Sequence, residues 1–140
     1  MSRRLLHVAQ DSIRGNHMSR VSLIKGVDRR TIARRSLDLI ADDIVRGLGD
    51  RQPVIKPNFV SSTNQLASSH VDQMRGILDF FSDWYRGKIV IAEAACYDTQ
   101  EAFKNFGYQE LLHEYPVELV DLNRGAYEIY PIMDRQNTAI

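Results

Sequence analysis

The sequence predicts an α/β fold: a mainly parallel β-sheet flanked by helices. Three observations carry this. Short apolar runs alternate with stretches of helical apolar spacing, in the order strand, helix, strand, helix, strand, helices, strand. Such alternation calls for βαβ crossovers and a parallel sheet. The run from Lys88 to Glu93 is apolar without interruption until its closing acid, as expected of a strand buried on both faces. The chain has 140 residues, 44% of them hydrophobic and 26% charged, which suits one folded domain with its own core.

Residues 1–17 are polar, include His7 and His17, and show no sustained period. They read as a flexible extension, or as an upstream reading of a start at the second Met-Ser-Arg, Met18. Structure is expected over 18–140. Val21–Gly26 is apolar and β-branched, and Gly26 breaks it, so it reads as a strand. Asp28 is placed to cap the helix after it. Ile32, Ala33, Leu37, Ile40, Ala41, Ile44 and Leu48 recur at helical spacing up to Gly49, which predicts one helix over 29–48.

Pro53–Phe59 holds a short strand, Val54-Ile55-Lys56, that runs into Pro57. Thirteen mostly small, polar residues come next, from Pro57 to Ser69. Ser69 with Asp72 makes a capping box for a helix whose apolar face runs from Val71 to Tyr85 and which Gly87 ends. The strand Lys88–Glu93 is next. Asp98 and Glu101 then cap a short helix running to Phe106, and another helical turn or two covers 108–114 before Pro116. Val117–Leu122 reads as a strand, and Tyr127–Met133 as an edge strand.

Net charge is zero, but it is split. Residues 1–56 carry twelve Lys/Arg and six Asp/Glu, and 57–140 carry six and twelve. A basic half invites a nucleic-acid reading. Here the arginines are spread along one amphipathic helix and a polar N-terminus, with few aromatics between them, which argues for a solvated face or attraction between the halves. The single cysteine, Cys96, allows no intrachain disulfide and no thiolate-held zinc or iron–sulfur site. It reads as a small apolar residue. No apolar run reaches the roughly 18 residues a membrane span needs, and no signal-peptide core follows Met1. The expected location is the cytoplasm.

In open α/β sheets, ligands sit at the carboxyl ends of the strands, which singles out the loops 57–69 and 93–99. Pro57 ends the ladder and stiffens the exit, so Lys56 and Asn58 are held at the carboxyl edge. A lysine there binds phosphate or carboxylate as a point charge; the plainer reading pairs it with a nearby acid. Ser61, Ser62, Thr63 and Asn64 lead towards Ser68, Ser69 and His70 at a helix start, a donor-rich approach to an anion. The plainer reading is a surface loop. His70 falls in the first helical turn, where the neutral imidazole is favoured. Glu93, at the end of an apolar strand, is expected at the rim beside Lys56 rather than inside, because burying an unpaired carboxylate is expensive. A Lys56–Glu93 pair is open to a structural, an acid/base or a metal-site reading. Asp121 ends another strand and could reach the same rim. Asp98 reads as a cap and His113 as a surface residue. No Gly-rich phosphate loop, serine triad or metal-ligand spacing is present.

Three stretches together carry a resemblance. They are Val-Ile-Lys-Pro-Asn-Phe-Val (54–60), Lys-Ile-Val-Ile-Ala-Glu-Ala (88–94), and the run from Thr99 through Ala102-Phe103 and Phe106-Gly107-Tyr108 to Val117–Leu122. In this order the chain resembles the domain-of-unknown-function family 362 over roughly 21–125, with Ser68-Ser69-His70 at the family's Thr/His position. The resemblance implies a redox-linked or ligand-binding role for relatives, without a general reaction. Many relatives carry an appended iron–sulfur module, which this chain lacks, so no cofactor is expected here. Relatives also continue into a Lys-x-His motif. The resemblance therefore implies that this chain corresponds to the N-terminal part of a larger, here incomplete, domain.

Two functional readings lead, neither of which names a substrate, and nucleic-acid binding by the arginine-rich helix face stands third. One is an enzyme, or half of one, that binds an anionic small molecule (phosphate or carboxylate). Lys56 and Asn58 hold the anion, Ser61, Ser62, Thr63 and His70 supply donors, and Glu93 serves as acid or base. The other is a non-catalytic interaction module whose exposed edge pairs with a second copy or a complementary chain.

Overall fold

The computed structural model describes residues 19–128 and Arg135. The expected extension, 1–17, and most of the strand expected at 127–133 lie outside the described residues; Tyr127 and Glu128 belong to no regular element. The elements are α1 (Arg29–Asp38), α2 (Ala41–Leu48), β1 (Val54–Ile55), α3 (Val71–Ser82), β2 (Ile89–Glu93), α4 (Thr99–Asn105), α5 (Leu111–Glu114) and β3 (Val117–Asp121). The three strands form one parallel sheet in the order β1-β2-β3. Val54 pairs with Val90, Ile89 with Val117, and Glu93 with Asp121. The predicted α/β class holds.

β2 is central, and its continuous apolar sequence reflects that: Ile89, Ile91 and Ala92 are buried. Phe59 leaves β1 and turns into the core, where it meets Phe103, Phe106 and Tyr108 edge-on at centroid distances of 5.0–5.5 Å. Leu78 and Met74 from α3 and Leu111 from α5 close the same cluster. Edge-to-face rings add roughly 0.5–1.5 kcal/mol each beyond burial, so the Phe-Gly-Tyr segment locks the second crossover onto the first. Gly107 adopts φ 74° there, a left-handed turn that lets Tyr108 fold back under α4.

Three elements differ from the sequence reading. Val21–Gly26 is not a strand: it belongs to no regular element, and Val21 and Leu23 are exposed. The alternation survives, with Ser22 and Ile24 half-buried. The segment is pinned across the helices by an Arg20–Asp43 ion pair and by Gly26, where a Cβ would stand 2.5 Å from Ile32 Cγ2. Strand propensity supplied the residues, but among the described residues no neighbour strand stands beside them.

The helix expected over 29–48 is two. Ile40 leaves helical geometry (φ −125°, ψ 22°) and its N–H bonds Leu37 O at 3.0 Å. Leu37, Ala41, Ile44 and Leu48 on both sides pack on the core, so the apolar period runs through the break and hides it. At α3, His70 is the N-cap rather than a first-turn residue: its Nδ1 accepts from the Asp72 N–H at 3.1 Å. Ser69 does not cap, because Oγ accepts from the Asn58 N–H and its own N–H bonds Asn58 O at 2.8 Å. α3 ends at Ser82, before Trp84 and Tyr85.

Candidate functional site

The carboxyl ends of β1, β2 and β3 bring Lys56, Glu93 and Asp121 to one rim. Lys56 Nζ lies 2.8 Å from Glu93 Oε2 and 3.0 Å from Oε1, and donates to Pro57 O at 3.2 Å. The ammonium has three donors, so all three find acceptors. The pair is asymmetric: the lysine side chain is 59% exposed and the glutamate 3%. Contrary to the sequence expectation, Glu93 is buried. The cost of desolvating it is offset because the counter-charge comes from the neighbouring strand's end, 37 residues away in sequence.

Beneath the pair lies Tyr108, fully buried, its hydroxyl donating to Ser69 O at 3.1 Å. Burial first, and then the Glu93 charge, pushes that hydroxyl well above the ordinary tyrosine range. A small cavity of about 60 Å³ is lined by Lys56, Pro57, Ser69, His70 and Tyr108 among others. A larger cleft of about 560 Å³, which shares Ser69, His70 and Gln73 with the small cavity, opens between residues 22–36 and 65–73.

The remaining predicted site residues divide. The Asn58 side chain is exposed at the rim. Ser61 Oγ accepts from the N–H groups of Thr63 and Asn64 at 3.1 and 3.0 Å. Ser62 is buried, with Oγ 3.4 Å from Glu101 Oε2 and its carbonyl bonded by Asn105. Those two hydroxyls hold the loop's own shape, and Thr63 is exposed. His70 keeps Nδ1 for the cap, which leaves Nε2 as the neutral ring's donor. His70 lines both cavities.

Asp121 is buried at its side chain and held by Arg124 at 3.3 Å and the Asn123 N–H at 3.0 Å. Arg124 also reaches Asp98 at 3.6 Å. Asp98 caps α4 by accepting from the Glu101 N–H. Cys96 is exposed rather than packed as a small apolar residue. The sequence reading missed Asn123, whose Nδ2 donates to Ala95 O at 3.0 Å and reaches Thr99 Oγ1 at 3.3 Å, fastening the loop after β2 to the end of β3. Nothing in its local sequence marks it. It also missed Tyr108, which the Phe-Gly-Tyr segment did carry. Among the described residues no group of three or more His, Cys, Asp or Glu is placed to hold a metal ion, and no helix is long and apolar enough to cross a membrane.

The fold and the rim define an α/β protein whose parallel strands end in a lysine–glutamate pair. A family model, the domain of unknown function DUF362, matches residues 54–139. This is more than half of the chain, and the chain belongs to that family. The match starts at β1 and therefore takes in the rim, both crossovers and β3, but not residues 21–53, over which the sequence resemblance also extends. No curated protein and no solved structure matches the chain.

Proposed function

We propose that this chain binds a small anion, a phosphate or a carboxylate, at the carboxyl ends of its parallel strands. One observation carries the reading: the Lys56–Glu93 pair is oriented, with the carboxylate buried and the ammonium facing solvent. The rim therefore presents a positive group whose counter-charge is set behind it. An arriving anion competes first for the weakest of the three lysine contacts, the Pro57 carbonyl at 3.2 Å. Asn58, two residues beyond Lys56, is exposed, and His70 lines the small cavity together with Lys56. A ligand carrying an exchangeable proton would find Glu93 available as acid or base through the lysine. The reading needs no redox partner.

The test is titration calorimetry of inorganic phosphate and of acetate into wild type, Lys56→Met and Lys56→Arg. Wild type and the arginine variant should bind, and the methionine variant should lose at least about tenfold in affinity. Equal affinity in Lys56→Met would sink the proposal.

A second reading, an interaction module, is supported by the sheet order. β3 ends it, with no further strand beside it among the described residues, and an open edge is a template for pairing. Light scattering that gives a dimer whose affinity falls when Val120 is replaced by Pro would favour that reading over the first.

A further inference from the structure

We infer that the 560 Å³ cleft between residues 22–36 and 65–73 is a second binding site, for a monocarboxylate with an apolar body. This goes beyond the rim reading, because the cleft shares Ser69, His70 and Gln73 with the small cavity at Lys56 but is not lined by Lys56 itself. Its volume falls in the range of small-molecule sites, roughly 300–1,000 Å³.

The lining decides the ligand class. Leu23, Ile24, Ile32, Ala33 and Leu66 form its apolar part. Leu66 is 96% exposed and Leu23 89%, an unusual arrangement for two large apolar side chains facing one cleft. Among the described residues, Arg29 is the one permanently charged residue that lines it, and no aspartate or glutamate does. Two other arginines of α1 are paired instead: Arg30 is held by Asp79 and Arg34 by Asp38 and Asp83.

A single guanidinium in an acid-free, half-apolar cleft matches one negative charge, and its fork fits a carboxylate through two parallel hydrogen bonds. A phosphate dianion would bring a second charge with no second arginine to meet it. The α3 N-terminus is not the anchor, since the Asp72 and Gln73 N–H groups already bond His70. Ser36, Gln65 and Gln73 add neutral polar groups to the wall. The cleft has this shape because its outer wall is pinned: Arg20 is tied to Asp43, and Gly26 sits against Ile32.

The test uses the full chain with hexanoate, hexanamide and inorganic phosphate as probes, read by ligand-observed nuclear magnetic resonance and calorimetry. Hexanoate should bind wild type in the millimolar range and at least about tenfold more tightly than hexanamide. In the Lys56→Met background, where the rim no longer contributes, Arg29→Gln should remove that preference, and Leu66→Asp should weaken hexanoate by a similar factor. Both side chains are exposed, so both variants should fold. Lys56→Met removes the rim cation but should keep the preference for hexanoate over hexanamide, which separates this site from the rim. Hexanamide binding as well as hexanoate, or full hexanoate affinity in Lys56→Met/Arg29→Gln, would overturn the inference, as would no hexanoate binding by Lys56→Met. Loss of phosphate binding in Lys56→Met with hexanoate intact supports both sites. Loss of hexanoate in Lys56→Met would overturn the separation and assign one shared site.

Discussion

Gly76 on α3 stands against the backbone of Arg30 on α1 so closely that a Cβ at Gly76 would lie 2.2 Å from the Arg30 carbonyl oxygen and 3.0 Å from Ala33 Cβ. The obstacle is backbone, which cannot swing aside, so Gly76→Ala must push the two helices apart. Alanine gains roughly 1 kcal/mol in helix propensity over glycine, but overpacking costs about 1–3 kcal/mol, and α1 carries other contacts that move with it. The expected result is a net loss of about 1–2 kcal/mol in urea unfolding. Gly47 in α2 is the control: nothing lies within 4 Å of its added Cβ. Gly47→Ala should stabilise by up to about 1 kcal/mol. A neutral Gly76→Ala would mean that the helices are not packed as described.

The Lys56–Glu93 pair predicts an asymmetry between its two halves. Lys56→Met leaves a buried carboxylate without its cation, and breaking a buried pair costs about 3–5 kcal/mol. The lysine is more than half exposed, and solvent screens part of this, so about 2–3 kcal/mol is expected. Glu93→Gln keeps the shape and removes the buried charge, and should cost no more than about 1 kcal/mol. Equilibrium unfolding at neutral pH measures both. Equal costs would show that the burial of Glu93 does not matter energetically.

How much of this fold is legible in the sequence depends on whether the deciding partner is near in the chain. β2 is legible because burial on both faces writes itself as an uninterrupted apolar run. The caps at Asp28 and Asp98 are legible because each acts three residues away. Val21–Gly26 has strand residues, yet a strand needs a neighbour, and no local pattern reports one. Glu93 is expected at the right edge but on the wrong side of the surface, because its cation comes from a segment distant in the chain. In the 57–69 loop the sequence supplies hydroxyls, while the bond geometry commits Ser61 to its own backbone and Ser62 to Glu101 and Asn105. The break at Ile40 leaves no trace, since both helices turn the same apolar spacing to the same core.

Arg75 ties three acids together. Its guanidinium meets Glu114 at 2.7 Å, Glu110 at 2.8 Å and Asp72 at 2.9 Å, and is itself only 14% exposed. The Glu114 carboxyl is held below its ordinary value by that hydrogen bond, and the Asp79 carboxyl by Arg30. Lowered carboxyl values mean that the unfolded chain takes up protons first. The stability they contribute is present above about pH 4 and lost as pH falls through the folded values. The acids are partly solvated, so each should contribute no more than about 1 kcal/mol. Arg75→Met should flatten the acid limb of the stability profile between pH 5 and pH 3, within roughly that range. An unchanged slope in the variant would remove Arg75 from the account.

Tyr115 and Tyr108 give the opposite limb. The Tyr115 hydroxyl is pushed up to about 12, by burial first and then by its hydrogen bond to Asp79 at 2.8 Å. Tyr108 is pushed higher still by burial and by Glu93. For a tyrosine, a raised folded value means that the unfolded chain ionises first, near pH 10. The stability is therefore complete below about pH 10 and declines above it, as the unfolded phenols release protons that the folded ones retain. Of the six tyrosines in the chain, these two should stay protonated when the folded protein is brought to about pH 11, and ionise only as it unfolds. Tyrosinate absorbance, followed together with circular dichroism, reads this directly. Tyr115→Phe should remove one tyrosine from the late step and release Arg30 and Asp79 from their shared hydroxyl. A smooth titration of all six before any loss of ellipticity would show that neither hydroxyl is enclosed.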